Sequence, residues 1–319
     1  NVGQLYAVDT FGAVVGTLLA GFFLILFLGL KEAAYLAGTV NLLIAVAVFA
    51  LSRWLEALPA TEARPGRAEE TPADLEAAGY SPRIARLALW AAGVSGFCAL
   101  ALEVFWTRAL VFFLDNSTHA FSTMLTAFLL GIAIGSFLIA TFIDSRARLV
   151  SWLGATQLLI GLFAILAIPI LNHSTPVLQR LAEVSLDAML PWKWMGMRFA
   201  TSLSVMLVPT ILMGMTFPLV VKVYTKSIAS AGEALGNVYS MNAVAGVLGS
   251  LLAGFVLIPL VGVHLGIHLI ATMNVVMGGI LILSDPSSTS RFRWVAVFSS
   301  GAVFVGLGIF FLTTGGTNS

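Results

Sequence analysis

Charge is scarce in this sequence. Its 319 residues include 16 basic and 15 acidic side chains, 10% in all, where a soluble domain carries about 25%. The net charge of +1 supplies no basic field, so nucleic acid is not an expected partner. Cysteine is scarcer still. Cys98 is the only one, which excludes an internal disulfide and any cysteine-rich zinc or iron–sulfur site. No Ser–His–Asp set, phosphate-binding glycine loop or paired carboxylates are specific enough to argue catalysis. No catalytic residue, metal or cofactor is therefore expected.

Apolar residues fill the space that charge leaves. They make up 59% of the chain, and the mean hydropathy is +0.99. Continuous apolar runs of about 20 residues recur, the length that crosses a hydrocarbon layer as a helix. Continuity rather than alternation selects helices over a barrel. The expected fold is an all-α polytopic membrane protein of about nine transmembrane helices, near 5–29, 33–52, 87–113, 119–143, 149–171, 197–221, 237–260, 264–284 and 292–313. Residues 54–85 hold four prolines and charges of both signs, and read as a solvated linker. Residues 172–196 mix apolar and charged side chains, and suggest an amphipathic helix on the membrane surface with Trp192 and Trp194 at headgroup level.

Lysine and arginine set an orientation. With the linker in the cytoplasm, alternation puts eleven of them on that side, among them Arg53, Arg83, Arg148, Lys222 and Arg293. The other side receives four: Lys31, Arg180, Lys193 and Arg198. This positive-inside bias predicts a cytoplasmic linker and an external C-terminus.

An internal repeat organises the rest. VGQLYAVDTFGAVVGTLLAGFFLILFLG (2–29) matches LGNVYSMNAVAGVLGSLLAGFVLIPLVG (235–262) at a constant offset of 233. Gly3, Tyr6, Gly16, Gly21 and Gly29 meet Gly236, Tyr239, Gly249, Gly254 and Gly262. Hydrophobicity alone does not explain shared glycines and tyrosines. Both copies run in the same direction, so they are parallel repeats of the kind that relates the halves of a major facilitator. The expected domains are 1–53, the last two helices of an incomplete first half; 54–85, the cytoplasmic linker; 86–284, the second half; and 285–319, an extra helix and tail. Asn1 opens directly into the repeat, which suggests that helices precede it.

Four segments carry a family resemblance: SGFCALALEVFWTRAL (95–110), STHAFSTMLTAFLLGIAIGSFLIATFIDSRAR (117–148), PTILMGMTFPLVVKV (209–223) and GNVYSMNAVAGVLGSLLAGFVLIPLVG (236–262). They resemble the membrane region of bacterial fused proteins in which a major-facilitator-like part is joined to a spermidine-synthase-like domain. The chain has no glycine-rich turn after a strand and no long soluble stretch, so the resemblance brings no aminopropyltransferase active site. It implies a transporter-like module of a bacterial inner membrane, for a small polar or cationic solute such as a polyamine. Two alternatives stand beside it: an accessory subunit of a larger membrane complex, and the anchor of a separate aminopropyltransferase. The implied partners are the lipid bilayer and other membrane subunits or a missing N-terminal part.

Several polar residues stand out against this background. Glu103 lies past the middle of a span, where a charge costs about 2.5–3.5 kcal/mol on insertion scales. It is either a proton- or cation-binding carboxylate or a structural group in an ion pair or a hydrogen bond to a neighbouring helix. Arg108, five residues on, is about 140° around the helix and a poor intrahelical partner. Arg108 and Asp115 suit interfacial anchoring. Asp9 and Asn242 occupy equivalent repeat positions, one turn after Tyr6 and Tyr239; they cap helices or line the mouth of a cavity. Asp144, Arg146 and Arg148 resemble the major-facilitator loop that clamps helix ends, and equally suit positive-inside anchoring. Pro209 and Pro218 interrupt one span as gates or as shaping kinks. His264 and His268 are one turn apart but lack an evident third ligand for a metal or haem.

Overall fold

The computed structural model describes residues 2–57, 80–114, 118–142, 148–185, 191–225 and 231–315. Its elements are α1 (Val2–Leu19), a π-helical turn (Ala20–Leu24), α2 (Ile25–Leu28), α3 (Leu30–Ala57), α4 (Pro82–Leu114), α5 (Thr118–Phe142), α6 (Leu149–Ser185), α7 (Pro191–Tyr224), α8 (Ala231–Leu252), a second π-helical turn (Ala253–Leu257), α9 (Ile258–Ser284) and α10 (Ser290–Gly315). No strand occurs among the described residues. Helices satisfy every backbone polar group internally, which a hydrocarbon environment demands.

Seven helical stretches are long and apolar enough to cross a membrane: Tyr6–Leu28, Leu30–Trp54, Pro82–Leu110, Phe121–Phe142, Leu149–Pro169, Ser202–Tyr224 and Ala231–Ser284. The chain is a membrane-embedded helical bundle. The seventh stretch has 54 residues, roughly 80 Å of helix against a hydrocarbon layer of about 30 Å. It is broken at Gly262, whose φ of 77° and ψ of 178° leave the helical region. Expected spans 237–260 and 264–284 thus meet at a sharp break with no loop between them. Past residue 285, α10 contributes an apolar stretch of Arg293–Gly306 and rests on α9 and α6.

The surface helix expected over 172–196 is not a separate element. Helix α6 runs unbroken for 37 residues to Ser185, and α7 begins at Pro191. At about 1.5 Å per residue, α6 is some 56 Å long and projects well past one hydrocarbon thickness.

The repeat is visible in the backbone. The π turns Ala20–Leu24 and Ala253–Leu257 occupy equivalent positions, and so do the left-handed breaks at Gly29 (φ 87°) and Gly262 (φ 77°). Only glycine adopts that φ without penalty. Shared sequence here encodes shared backbone irregularity, which generic helix similarity would not produce.

Packing brings the bundle together in close pairs: α5 on α7, α4 on α8, α6 on α9, and α1 on α5. Small residues permit these approaches, as expected where van der Waals contact drives helix association. A methyl group on Gly96 would sit 2.7 Å from Asn242 Oδ1 across the α4–α8 contact. Phe105, Trp106, Leu102, Met124, Ile165 and Met206 fill the core among α4–α7.

Proline shapes α7 without breaking it. The helix continues through Pro209 and Pro218. Pro218 has no N–H to give the Gly214 carbonyl four residues back. Ser136 Oγ of α5 donates to that carbonyl instead, at 2.9 Å, while also bonding its own Ile132 carbonyl at 2.8 Å. A neighbouring hydroxyl has replaced the missing backbone donor, as membrane helices require.

The two repeat copies bury opposite faces. In α1, Ala7, Val14 and Gly21 are covered, with Gly21 against Ser122 of α5, while Gly12 and Gly16 have nothing near them. In α8 and its π turn, Gly249 and Ala253 are covered, Gly249 by Phe97 of α4, while Val247 is 54% exposed.

Candidate functional site

Two cavities hold five of the polar residues singled out by sequence, Glu103 and Arg108 in one and Tyr6, Asp9 and Tyr239 in the other. The larger, about 710 Å³, opens between α4, Phe121 of α5, and the second repeat copy, which contributes Ser250, Gly254 and Pro259. From α4 come Glu103, Thr107 and Arg108. Successive turns of one helix therefore bring a carboxylate, a hydroxyl and a guanidinium to one intramembrane space, although Glu103 and Arg108 point about 140° apart on the helix.

Glu103 is half-buried. No hydrogen-bond or ion-pair partner reaches it among the described residues. A carboxylate in such a position is costly unless it takes up a proton or a cation. The π turn helps to form this wall. Its Gly254 has no side chain, so the wall opposite α4 stays low, with Val104 Cγ1 the nearest atom at 3.9 Å from the position a Cβ would take. Beyond this π turn, α9 begins with Ile258 and Pro259 at the cavity edge.

The second cavity, about 490 Å³, lies where the linker-side ends of α1, α7 and α8 meet. Tyr6 and Asp9 of α1, Phe217 of α7 and Tyr239 of α8 line it. Tyr6 stacks on Phe217 with centroids 4.4 Å apart and planes 21° apart. Tyr239 stands edge-on to Phe217 at 6.2 Å and 88°. The structure thus brings the repeat-related tyrosines together through a phenylalanine that sequence reasoning did not select. It does not bring Asn242 with them: Asn242 is half-buried against Gly96 of α4. Neither Asp9 nor Asn242 caps a helix; each lies inside a continuous one.

Of the loop residues, Asp144 and Arg146 lie outside the described residues. Arg148 is exposed, has a φ of 70°, and its carbonyl accepts the Trp152 N–H at 3.1 Å as α6 begins. The clamp seen at this end uses Asp285, which sequence reasoning missed. Asp285 follows α9 and is fully buried. One oxygen accepts the Ser151 N–H at 3.0 Å and the Ser151 hydroxyl; the other accepts the Ser287 N–H at 2.9 Å and its hydroxyl at 2.6 Å. A carboxylate from α9 therefore caps the first turn of α6, where free N–H groups and the helix dipole favour negative charge. Burial alone would raise its pKa, but these hydrogen bonds together hold it below the ordinary value. Burial, and then the Asp285 charge, push the nearby Tyr80 hydroxyl up. The only sequence signal was an Asp ending an apolar run just before Pro286.

His268 is buried, and its Nδ1 donates to the His264 carbonyl at 2.8 Å. Among the described residues, no group of three His, Cys, Asp or Glu is placed to hold a metal. No protein-family model, curated protein or solved structure matches the chain.

Proposed function

We propose that this chain is a transporter-like membrane module that binds a small polar or cationic solute in the Glu103 cavity. The observation carrying this reading is a partnerless carboxylate in an intramembrane cavity whose far wall is the irregular part of a repeat. In major-facilitator-like proteins, parallel repeats frame a central site. The resemblance stated above makes a polyamine the first solute to test. In this reading the chain has nine spans, with α9 entered after Gly262 and α10 as the last. It sits in a bacterial inner membrane with the linker cytoplasmic and the C-terminus outside. Described basic residues at the linker end, including Arg53, Arg83, Arg148, Lys222 and Arg293, support that orientation.

Uptake of labelled putrescine and spermidine into proteoliposomes, with and without a proton gradient, tests the proposal. Saturable uptake that falls at least tenfold in Glu103→Gln supports it. Absence of uptake of either amine under both conditions counts against it.

A second reading has its own observation. The α8 stripe at Gly249 and Ala253 is covered by α4, whereas its repeat equivalent at Gly16 and Ala20 on α1 has no such cover at Gly16. The stretch that includes α3 has no buried residue in its apolar window. By repeat symmetry, helices like α4 and α6, which cover α8 and α9, fit those bare faces. The module would then be a non-catalytic subunit packed against other membrane helices. Co-purification in mild detergent distinguishes the two: a stoichiometric membrane partner favours the subunit, and a soluble aminopropyltransferase partner favours the anchor role.

A further inference from the structure

The cavity at the linker end has a chemistry of its own. Three aromatic rings from three different helices converge there, in one stacked and one edge-on pair. Tyr6 and Phe217 stack, but Tyr239 turns perpendicular to them and leaves 57% of its surface exposed beside a space of about 490 Å³. Ligand cavities commonly span 300–1,000 Å³. On the α8 side, Gly232 and Gly236 border the cavity, and a Cβ at either would meet nothing within 4 Å. The space is thus bounded by aromatic rings, the Leu235 side chain, bare glycine backbone and the Asp9 carboxylate.

Asp9 supplies the charge. It lines the same cavity three residues from Tyr6, and it lies within electrostatic reach of the Tyr6 hydroxyl. It sits about one turn inside an apolar span that begins at Tyr6. Its short side chain cannot snorkel as lysine or arginine does. Among the described residues it forms no ion pair; Lys222, on α7, has a contact of its own. A carboxylate beside aromatic faces is the chemistry that holds an alkylammonium group, because the ring quadrupole and the anion attract the same cation. A phosphate or carboxylate ligand would meet repulsion here.

We infer that Tyr6, Phe217, Tyr239 and Asp9 form a binding site for an organic ammonium group, with Asp9 as its counter-ion and the Tyr239 face as its wall. The site is roughly 16 Å along α8 from Ser250 of the Glu103 cavity. Occupation of it does not require that the protein transport anything.

Binding of tritiated choline to the purified full-length chain in detergent tests this, by scintillation proximity. Choline should bind saturably. Tetramethylammonium should displace it, and the neutral isostere 3,3-dimethylbutan-1-ol should not. Asp9→Asn and Tyr239→Leu should each weaken binding by about tenfold, and Gly236→Leu should abolish it by filling the cavity. The component of binding that Asp9→Asn weakens should persist in Glu103→Gln, which separates this site from the proposed transport site. Unchanged shielding of Cys98 from maleimide certifies that each variant is folded. Absence of saturable choline binding, equal displacement by the neutral alcohol, or loss in Glu103→Gln with retention in Asp9→Asn would each overturn the assignment. Any of these would leave the three rings as helix packing alone.

Discussion

Adding one methyl group at each of two equivalent glycines should give opposite results. At Gly249 a Cβ would sit 2.8 Å from the Phe97 carbonyl carbon, 2.9 Å from its Cα, and closer still to its oxygen. Carbon atoms rest at about 3.5–4.0 Å, so α4 and α8 must part by roughly 1 Å. All three neighbour atoms are backbone, so no side-chain rotation relieves the clash. Overpacking of this kind costs about 1–3 kcal/mol. At Gly16, the same position in the first copy, a Cβ meets nothing within 4 Å. There the change from glycine to alanine removes only a helix penalty of about 1 kcal/mol. Gly249→Ala removes the same helix penalty, so the two variants should differ by the overpacking cost alone, about 1–3 kcal/mol. Cys98 makes the measurement simple. It is the only cysteine, it is 1% exposed, and it directly follows Phe97. Its Sγ bonds the Ile270 carbonyl of α9 at 3.8 Å, so its maleimide labelling in mild denaturant reports loosening of the packing around α4. At about 1.4 kcal/mol per factor of ten, Gly249→Ala should label roughly 5- to 150-fold faster than Gly16→Ala. Gly16→Ala should label no faster than wild type. If the two variants label alike, the close α4–α8 approach is wrong. If Gly16→Ala destabilises the isolated protein to the same degree, the α1 stripe is covered and the asymmetry between the copies fails.

Three further outcomes follow from named contacts. Asp285→Ala should cost about 2–3 kcal/mol, because it strips charge-assisted hydrogen bonds from a buried helix start. Since the folded pKa of Asp285 is lowered, its stabilisation is complete above the unfolded value near 3.9 and is lost as pH falls through the lower folded value. Thermal unfolding of the wild type should accordingly weaken below about pH 4, and the variant should show a flatter profile there; an identical pH slope in both would refute the clamp. Ser136→Ala should cost about 0.6–2 kcal/mol, and most of that cost should vanish in a Pro218→Ala background, where residue 218 regains the N–H that Gly214 lacks. Equal costs in both backgrounds would mean that Ser136 does not compensate for the proline.

The helical class and the repeat were legible because both depend on local pattern. Apolar runs of span length need no knowledge of neighbours, and the glycines at 29 and 262 recur because each copy needs the same left-handed break. The π turns were not legible as such, since AGFFL and AGFVL are ordinary apolar sequence. What sequence could not supply was partnership across the chain. Phe217 joins Tyr6 and Tyr239 only after α1, α7 and α8 have packed. Asp285 meets Ser151 across 134 residues, so its role as a cap in trans left no local trace beyond an acid at a helix end. Ser136 and Pro218 were each noticeable, but their compensation depends on the α5–α7 approach. Glu103 was the exception: a lone carboxylate in an apolar run marks itself by the cost of its charge.

Parallel repeats require two copies of one unit to cross the membrane in the same direction within this chain. Side-specific labelling tests it most directly. In a Cys98→Ser background, single cysteines replace Lys31 and His264, which follow the equivalent breaks at Gly29 and Gly262, or Arg53 and Arg291 at the other helix ends. Sealed membrane vesicles are then treated with an impermeant maleimide. The account predicts that Lys31→Cys and His264→Cys react from one face, while Arg53→Cys and Arg291→Cys react only from the other. Labelling of Lys31→Cys and His264→Cys from opposite faces would contradict it.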